Sequence, residues 1–140
     1  MSIDSNLTIS FVELGAGTGQ MLKVLLDVLN NFSLLNNMIF SIVDSSKTLR
    51  DIQMKKINET CLEYDVVLGY SESGAFEILS CEENNLTFIW FPSVEQFLEN
   101  VPNIDPQVIL FIAYVSSAFG LFFLLLFPVT FIICVQLSEK

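Results

Sequence analysis

Two kinds of hydrophobic periodicity alternate along the first part of the chain. Residues 7–14 and 38–44 are apolar and β-branched runs, which are typical of strands buried in a sheet. The apolar residues between these runs recur on one face of a helix: Met21, Leu22, Leu25, Val28 and Leu29. The pattern predicts a strand, a helix and a second strand, the unit from which parallel sheets are built.

The same reasoning extends to the rest of the chain. A second helix follows Ser45 or Ser46, either of which can cap it, and carries Lys55 and Lys56 near its end. The remaining predicted elements are a short strand at 65–69, a hairpin of strands at 75–80 and 86–91, a short helix at 94–98 and a strand at 108–113. This order indicates an α/β fold with a parallel sheet.

The end of the chain has a different character. No charged residue lies between Asp105 and Glu139, and residues 109–137 are almost entirely apolar. The run exceeds the roughly 20 residues that cross a bilayer core, so it is a candidate membrane span. We therefore divide the chain into a domain at 1–113 and an apolar tail at 114–140.

Three interpretations of this tail are open. It is a membrane anchor, or a soluble apolar helix that packs on the sheet after the strand at 108–113, or translated intron. Val115-Ser116 is what the common splice-donor sequence encodes in frame, so we hypothesise that the residues after Tyr114 are intron. An abundant transcript encoding the residues from Phe119 onward would contradict that hypothesis.

Charge and composition narrow the class of protein. The chain has 16 acidic and 6 basic residues and a formal net charge of −10, which disfavours a nucleic-acid partner. The absence of His excludes catalytic triads and His-ligated zinc. Cys61, Cys81 and Cys134 are too few and too scattered for a disulfide framework or a four-cysteine metal site. No basic or Arg-rich stretch opens the chain, so we expect neither a secretory signal nor a transit peptide.

The most informative motif joins the first strand to the first helix. Gly15, Gly17 and Gly19 follow Glu13 and form a loop that lets a ligand approach the backbone and the helix N-terminus. The second strand ends at Asp44, where a carboxylate can accept hydrogen bonds from ribose hydroxyls. We predict a nucleotide-type ligand site from these five residues, although Asp44 acting only as a helix cap and Glu13 acting only to orient the loop are alternatives.

The motif separates three classes of nucleotide site. Gln20 stands where a dinucleotide-binding loop has its third glycine, which disfavours a nicotinamide-dependent oxidoreductase. Lys23 does not supply the Gly-Lys-Ser/Thr ending of a phosphate-binding P-loop. Glu-Leu-Gly-x-Gly-x-Gly resembles the first motif of class I S-adenosylmethionine-dependent methyltransferases. That resemblance implies a partial Rossmann-like class I methyltransferase fold, with its first four strands and a C-terminal apolar helix.

Further motifs narrow the resemblance. After the glycine loop come Ile42-Val43-Asp44-Ser45-Ser46, Leu49-Arg50, Gln53, Ile89-Trp90-Phe91, Val94-Glu95, Val101-Pro102 and Ile112-Ala113. This succession, over residues 8–113, is similar to the MidA-like family, the mitochondrial complex I assembly-factor methyltransferases. The resemblance implies S-adenosyl-L-methionine as methyl donor, held by Glu13, the three glycines and Asp44. It also implies a mitochondrial location and an arginine of a complex I subunit as acceptor.

The chain also departs from that family. The family has a long segment before the glycine motif and continues after the last strand with Glu and Asp-Ala-Leu-Pro, which this chain lacks after Ala113. We therefore assign no catalytic residue and expect this form to be weakly active or inactive. The alternative from another class is a non-catalytic protein anchored in a membrane through residues 109–137.

Overall fold

The computed structural model describes residues 8–74 and 76–100 in full, and the backbone of residues 108–113. The elements in chain order are β1 (Ile9–Leu14), α1 (Gln20–Asn31), β2 (Met38–Val43), α2 (Lys47–Glu63), β3 (Gly69–Ser73), β4 (Phe76–Cys81), β5 (Leu86–Phe91), α3 (Val94–Asn100) and β6 (Val108–Ala113). This succession confirms the predicted α/β class.

The strands form one sheet in the order β3-β4-β5-β2-β1-β6. The four strands β5, β2, β1 and β6 are parallel, whereas β3 and β4 form an antiparallel extension at one edge. Leu14 is level with Val43 on one side and with Ala113 on the other, so the carboxyl ends of the parallel strands meet at one edge. From β1 the chain goes to β2 on one side, and it later returns to form β6 on the other side of β1. Open α/β sheets bind ligands at such a reversal of strand order, beside the carboxyl ends of the strands.

Apolar side chains cover both faces of the sheet. On one face, α1 and α2 pack against aromatic rings from three adjacent strands. Phe40 stacks on Phe11 with ring centroids 5.0 Å apart and on Phe88 at 4.8 Å. On the other face, Phe97 of α3 packs edge-on against Phe91 of β5. Burial on both faces explains why the inner strands read as continuous apolar runs.

The buried face of α1 is rotated from the predicted one. Leu22, Leu26 and Leu29 are buried, whereas Met21 and Val28 of the predicted face are 41% and 46% exposed. The helix is confirmed, and its inner face is confirmed in part. Leu22 and Leu29 are buried and Leu25 packs against the core, whereas the buried Leu26 was not in the predicted row.

The second helix is longer and more polar inside than predicted. Lys55 and Lys56, expected near its end, lie in its middle. Its buried side chains include polar as well as apolar residues: Arg50, Gln53, Ile57, Thr60 and Cys61. Because hydrophobic periodicity counts only the apolar ones, it could locate neither the inner face nor the end of this helix.

The short strand predicted at 65–69 is wrong in position. Asp65 has a positive φ of 61°, and β3 begins only at Gly69. Every residue of β3 is exposed, and the strand pairs only with β4. An edge strand without a buried face shows no apolar alternation, which is why the pattern misplaced it.

The predicted tail at 114–140 lies outside the described residues. Among the helices of the described ranges, none combines the length and the apolar character needed to cross a membrane.

Candidate functional site

The loop between β1 and α1 is held by backbone geometry that favours glycine. Gly15, Gly17 and Gly19 have φ angles of 67°, 56° and 80°, in the left-handed region that other residues rarely adopt. The Gly15 N–H donates to the Val43 carbonyl of β2 at 2.9 Å, which ties the loop to the neighbouring strand. A β-carbon at Gly17 would meet nothing within 4 Å. The loop therefore leaves open space beside its backbone.

The N-terminus of α1 is not capped by a side chain. Gly19 is the N-cap residue, and the first turn contains no acidic residue. The N–H of Lys23 is the first to bond within the helix, to the Gly19 carbonyl at 3.0 Å. The N–H groups that precede it in the first turn have no intrahelical acceptor, and the helix dipole adds a partial positive charge. This end of α1 is suited to an anionic group.

An open cleft of about 480 Å³ lies along the loop and the start of α1. Its lining residues are Glu13, Ala16, Gly17, Thr18, Gln20, Met21 and Val24. This volume falls in the range of roughly 300–1,000 Å³ that small-molecule sites occupy. The cleft is the place where a ligand would meet both the glycine backbone and the uncapped helix end.

Glu13 is the charged residue of this cleft. Its side chain is 5% exposed, and burial raises the pKa of its carboxyl to about 7. Its Oε1 atom is buried and has no hydrogen-bond partner among the described residues. A buried carboxylate oxygen without a donor is unfavourable. A cationic or N–H-bearing ligand in the cleft would satisfy it.

Asp44, directly after β2, is held from several sides. Its Oδ1 accepts from the Ser46 N–H at 3.0 Å, and its Oδ2 accepts from the Gln53 amide at 2.9 Å. Its own N–H donates to the Phe91 carbonyl at 3.1 Å. Each carboxylate oxygen keeps a second lone pair for a further donor. Asp44 therefore caps the turn into α2 and still has acceptor capacity for a hydroxyl group.

Sequence reasoning missed the role of Gln53 and Trp90. The Gln53 amide also donates to the Gly17 carbonyl at 2.7 Å, and its Oε1 accepts from the Trp90 indole at 3.1 Å. Both side chains are fully buried. The signal in the sequence was a row of mixed polar and apolar residues on α2: Arg50, Gln53, Ile57 and Thr60 recur at i, i+3, i+7 and i+10.

The structure brings most of the predicted site residues to one edge of the sheet. Gly17 and Asp44 share one partner, the Gln53 amide, although they follow different strands. Gly19 packs against the same glutamine, because a β-carbon there would lie 3.5 Å from Gln53 Cγ. Glu13 lies along the cleft with Gly17 instead of in this hydrogen-bond network. The prediction of a site at the strand ends thus corresponds to a cleft and an adjoining buried acceptor.

Among the described residues, neither the buried thiol of Cys61 nor a cluster of metal ligands offers an alternative chemistry. Burial raises the pKa of the Cys61 thiol to about 12, so it is not a nucleophile at neutral pH. Across the described ranges, no three Cys, Asp or Glu side chains come together as metal ligands.

Comparison with models of protein families identifies the family of this chain. Residues 1–114 match the model of a family described as "Putative S-adenosyl-L-methionine-dependent methyltransferase". The chain belongs to this methyltransferase family. No curated protein and no solved structure matches this chain. S-adenosyl-L-methionine is accordingly the expected cofactor.

The residues of the cleft fit that cofactor. S-adenosyl-L-methionine combines a carboxylate, two cationic centres and a ribose with two hydroxyls. The uncapped end of α1 suits the carboxylate, and the unpartnered Oε1 of Glu13 suits a cationic centre. Asp44 retains lone pairs for hydroxyl donors. The open space at Gly17 gives such a ligand access to the backbone.

Proposed function

We propose that this methyltransferase holds the methionine part of S-adenosyl-L-methionine on Gly15, Gly17 and Gly19 and the ribose on Asp44. The observation that carries the proposal is the open junction between β1 and α1, where Gly17 has a positive φ and free space beside it. The N–H groups of the first turn of α1 would bind the carboxylate. This arrangement corresponds to the nucleotide-binding half of a Rossmann-like class I methyltransferase fold.

Glu13 would face a cationic centre of the same ligand. Its carboxyl is buried beside the cleft, and burial alone raises its pKa to about 7. A positive charge within reach favours the ionised carboxylate and so lowers that pKa again. Glu13 then contributes to binding through charge, in addition to orienting the loop.

The contribution of these residues to methyl transfer is positioning. The bound donor supplies an electrophilic methyl group on a sulfonium sulfur, for displacement by a nucleophile. The glycine loop and Asp44 hold the donor on both sides of the sulfonium, at the methionine part and at the ribose, which fixes the direction in which a nucleophile must approach. In-line displacement depends chiefly on such alignment. No residue is assigned here as a general acid or base.

Calorimetric titration tests the cofactor proposal. We expect the full chain to bind S-adenosylmethionine and S-adenosylhomocysteine with dissociation constants on the order of micromolar, and not to bind NAD. Trp90, the single tryptophan, is buried and bonded to Gln53, so its fluorescence gives a second signal. Binding of NAD and not of the methyl donor would favour an oxidoreductase and overturn the proposal.

For the acceptor, we propose an arginine of a protein, specifically a mitochondrial complex I subunit, as in the MidA-like family. Support comes from the residues that narrow this resemblance: Arg50, Gln53 and Trp90 all belong to the bonded network around Asp44. The net charge of −10 also favours a basic acceptor segment.

A labelling experiment tests the acceptor. The full chain is incubated with mitochondrial extract and a donor that carries a labelled methyl group. We expect methylarginine in a complex I subunit. Label on another type of side chain would contradict the acceptor proposal and leave cofactor binding intact. No label while the donor binds would agree with the expectation that this form is inactive.

A further inference from the structure

Gln53 of α2 joins three segments that the chain order separates. Its Nε2 donates to the Gly17 carbonyl at 2.7 Å and to Asp44 Oδ2 at 2.9 Å, and its Oε1 accepts from Trp90 Nε1 at 3.1 Å. A glutamine amide has two N–H donors, and both are used. The segments follow β1, follow β2 and lie in β5, which are adjacent strands of the sheet.

The three partners allow only one orientation of this amide. A backbone carbonyl and a carboxylate can only accept, and an indole N–H can only donate. A flipped amide would place its oxygen against Asp44 and Gly17 and its NH2 against the indole of Trp90. The fully buried indole therefore selects the orientation in which both donors point toward the ligand-binding segments.

The position of Gln53 is also set by shape. The residue is fully buried, and its Cα, Cβ and Cγ lie 3.5–3.7 Å from where a β-carbon of Gly19 would be. At this residue α2 therefore packs directly against Gly19 of the glycine loop. Arg50, one turn earlier, donates to the Asp44 carbonyl at 2.9 Å and pairs with Glu77, which holds this turn of α2 to the same strand end.

We propose that Gln53 is a positioning residue for donor binding: it sets the glycine loop and the Asp44 carboxylate at a fixed separation, with Trp90 orienting its amide. The inference rests on the proposed binding of the donor's methionine part at the glycine loop and of its ribose at Asp44. A site whose two halves are already held in place loses less conformational entropy when a ligand spans them. Gln53 itself is expected to contact neither the methionine part nor the ribose of the donor.

The decisive variant is Gln53→Glu, which keeps the size of the side chain and replaces the donating NH2 by an acceptor oxygen. At alkaline pH, a second carboxylate then stands beside Asp44 Oδ2 and the Gly17 carbonyl. We expect S-adenosylhomocysteine to bind about 30- to 100-fold more weakly than to the wild type at pH 8.5. At pH 5.5 the introduced carboxyl is protonated and can donate one hydrogen bond again, so the ratio should fall below about 10-fold.

Calorimetric titration of both proteins across this pH range measures that ratio. The titration of Glu13 occurs in both proteins, so its effect cancels in this ratio. Thr60→Val is the matched control, because it also removes a buried hydrogen bond of α2, from Thr60 Oγ1 to the Lys56 carbonyl at 2.7 Å. We expect its affinity to equal that of the wild type. A merely structural role for Gln53 would give a ratio that does not change with pH.

Trp90→Phe provides a second test that does not depend on the first variant folding. It removes the donor to the Gln53 amide and also part of a fully buried ring, and we expect about 3- to 10-fold weaker binding. Wild-type affinity in folded Gln53→Glu at every pH would overturn the inference, as would wild-type affinity in Trp90→Phe if the glutamate variant does not fold. Failure of the wild type to bind either methyl-donor compound would instead overturn the proposed function.

Discussion

After β1 the chain passes through three glycines into α1, and after β2 it passes through Asp44 and Ser46 into α2. These two junctions lie side by side at the same edge of the sheet. The first has an uncapped helix start. In the second, the Ser46 hydroxyl accepts from the Leu49 N–H at 3.3 Å, and Asp44 accepts from the Ser46 N–H. The first junction has no side-chain acceptor for its helix donors, whereas the second provides one each for the N–H groups of Ser46 and Leu49.

The carboxylates at the two junctions differ in the same way. Glu13 is buried with an unpartnered oxygen and a pKa raised to about 7, whereas both oxygens of Asp44 accept hydrogen bonds from the chain. An unsatisfied group next to a cleft is a cost to the folded state that a ligand can remove. A satisfied one is a rigid acceptor. The open junction therefore presents an unsatisfied carboxylate to the cleft, whereas the closed junction presents one that hydrogen bonds to the chain hold in place.

Filling the open junction should have the largest effect. In Gly17→Val, the new side chain occupies the space beside the loop, and we expect S-adenosylhomocysteine to bind more than about 100-fold more weakly. Gly74→Val is the matched control, since Gly74 also has a positive φ and nothing within 4 Å of a β-carbon. Both variants should lose about 1–3 kcal/mol of unfolding free energy from backbone strain. Equal affinity in the two variants would show that the glycine loop is not part of the ligand-binding site.

Replacing Glu13 by glutamine should change the unfolding free energy by an amount that depends on pH. Because the folded-state pKa of Glu13 is raised from 4.5 to about 7, its contribution to stability is full below 4.5 and is lost as pH rises through 7. Glu13→Gln carries no charge and escapes this loss. We expect the ligand-free variant to exceed the wild type by about 2–3 kcal/mol at pH 8 and by little at pH 4.5.

Urea unfolding at the two pH values measures this difference. Glu83→Gln, which changes an exposed carboxylate, is the control and should show no such change with pH. A Glu13→Gln variant that is less stable than the wild type at pH 8 would show that the carboxylate has a partner in the folded protein.

Changing the acceptor at the closed junction should have a smaller effect, and one that separates the two halves of the ligand. Asp44→Asn replaces one acceptor oxygen by an NH2 group, so either the Ser46 N–H or the Gln53 amide loses its acceptor and the ribose loses acceptor capacity. We expect about 10- to 30-fold weaker binding, equally for adenosine and for S-adenosylhomocysteine. Gly17→Val should weaken adenosine much less, because adenosine lacks the methionine part.

The exposed Asp51 provides a control for this change, since it pairs with Lys47 on the surface of α2. Asp51→Asn should bind both ligands as the wild type does. If Asp44→Asn also retained wild-type affinity for adenosine, Asp44 would be a helix cap alone.

Removing the cap of the closed junction should have the smallest effect. Ser46→Ala leaves the Leu49 N–H without its side-chain acceptor, and we expect a loss of about 1 kcal/mol in unfolding free energy with little change in affinity. Ser45→Ala, at the exposed neighbouring position, should change neither. A strong loss of affinity in Ser46→Ala would show that the closed junction also contacts the ligand.

Much of the site could be predicted because its signals are local. Three glycines in five positions impose a left-handed backbone, and an acidic residue at the end of an apolar run places a carboxylate at the edge of the sheet. The same local reasoning failed for α2, where the inner face includes Arg50, Gln53 and Thr60. It also failed for β3, an exposed edge strand that exists by pairing with β4.

Local sequence patterns predict the α/β succession, the glycine loop and the positions of Glu13 and Asp44, because each depends on residues that are close in the chain. Which row of α1 is buried, that Glu13 Oε1 lacks a partner among the described residues, and that Gln53 bonds to Gly17 and Trp90 are known only from the folded structure. Those residues are separated from Gln53 by 36 and 37 positions. Hydrogen bonding between such distant groups depends on how the helix packs over the sheet, and no local pattern records it.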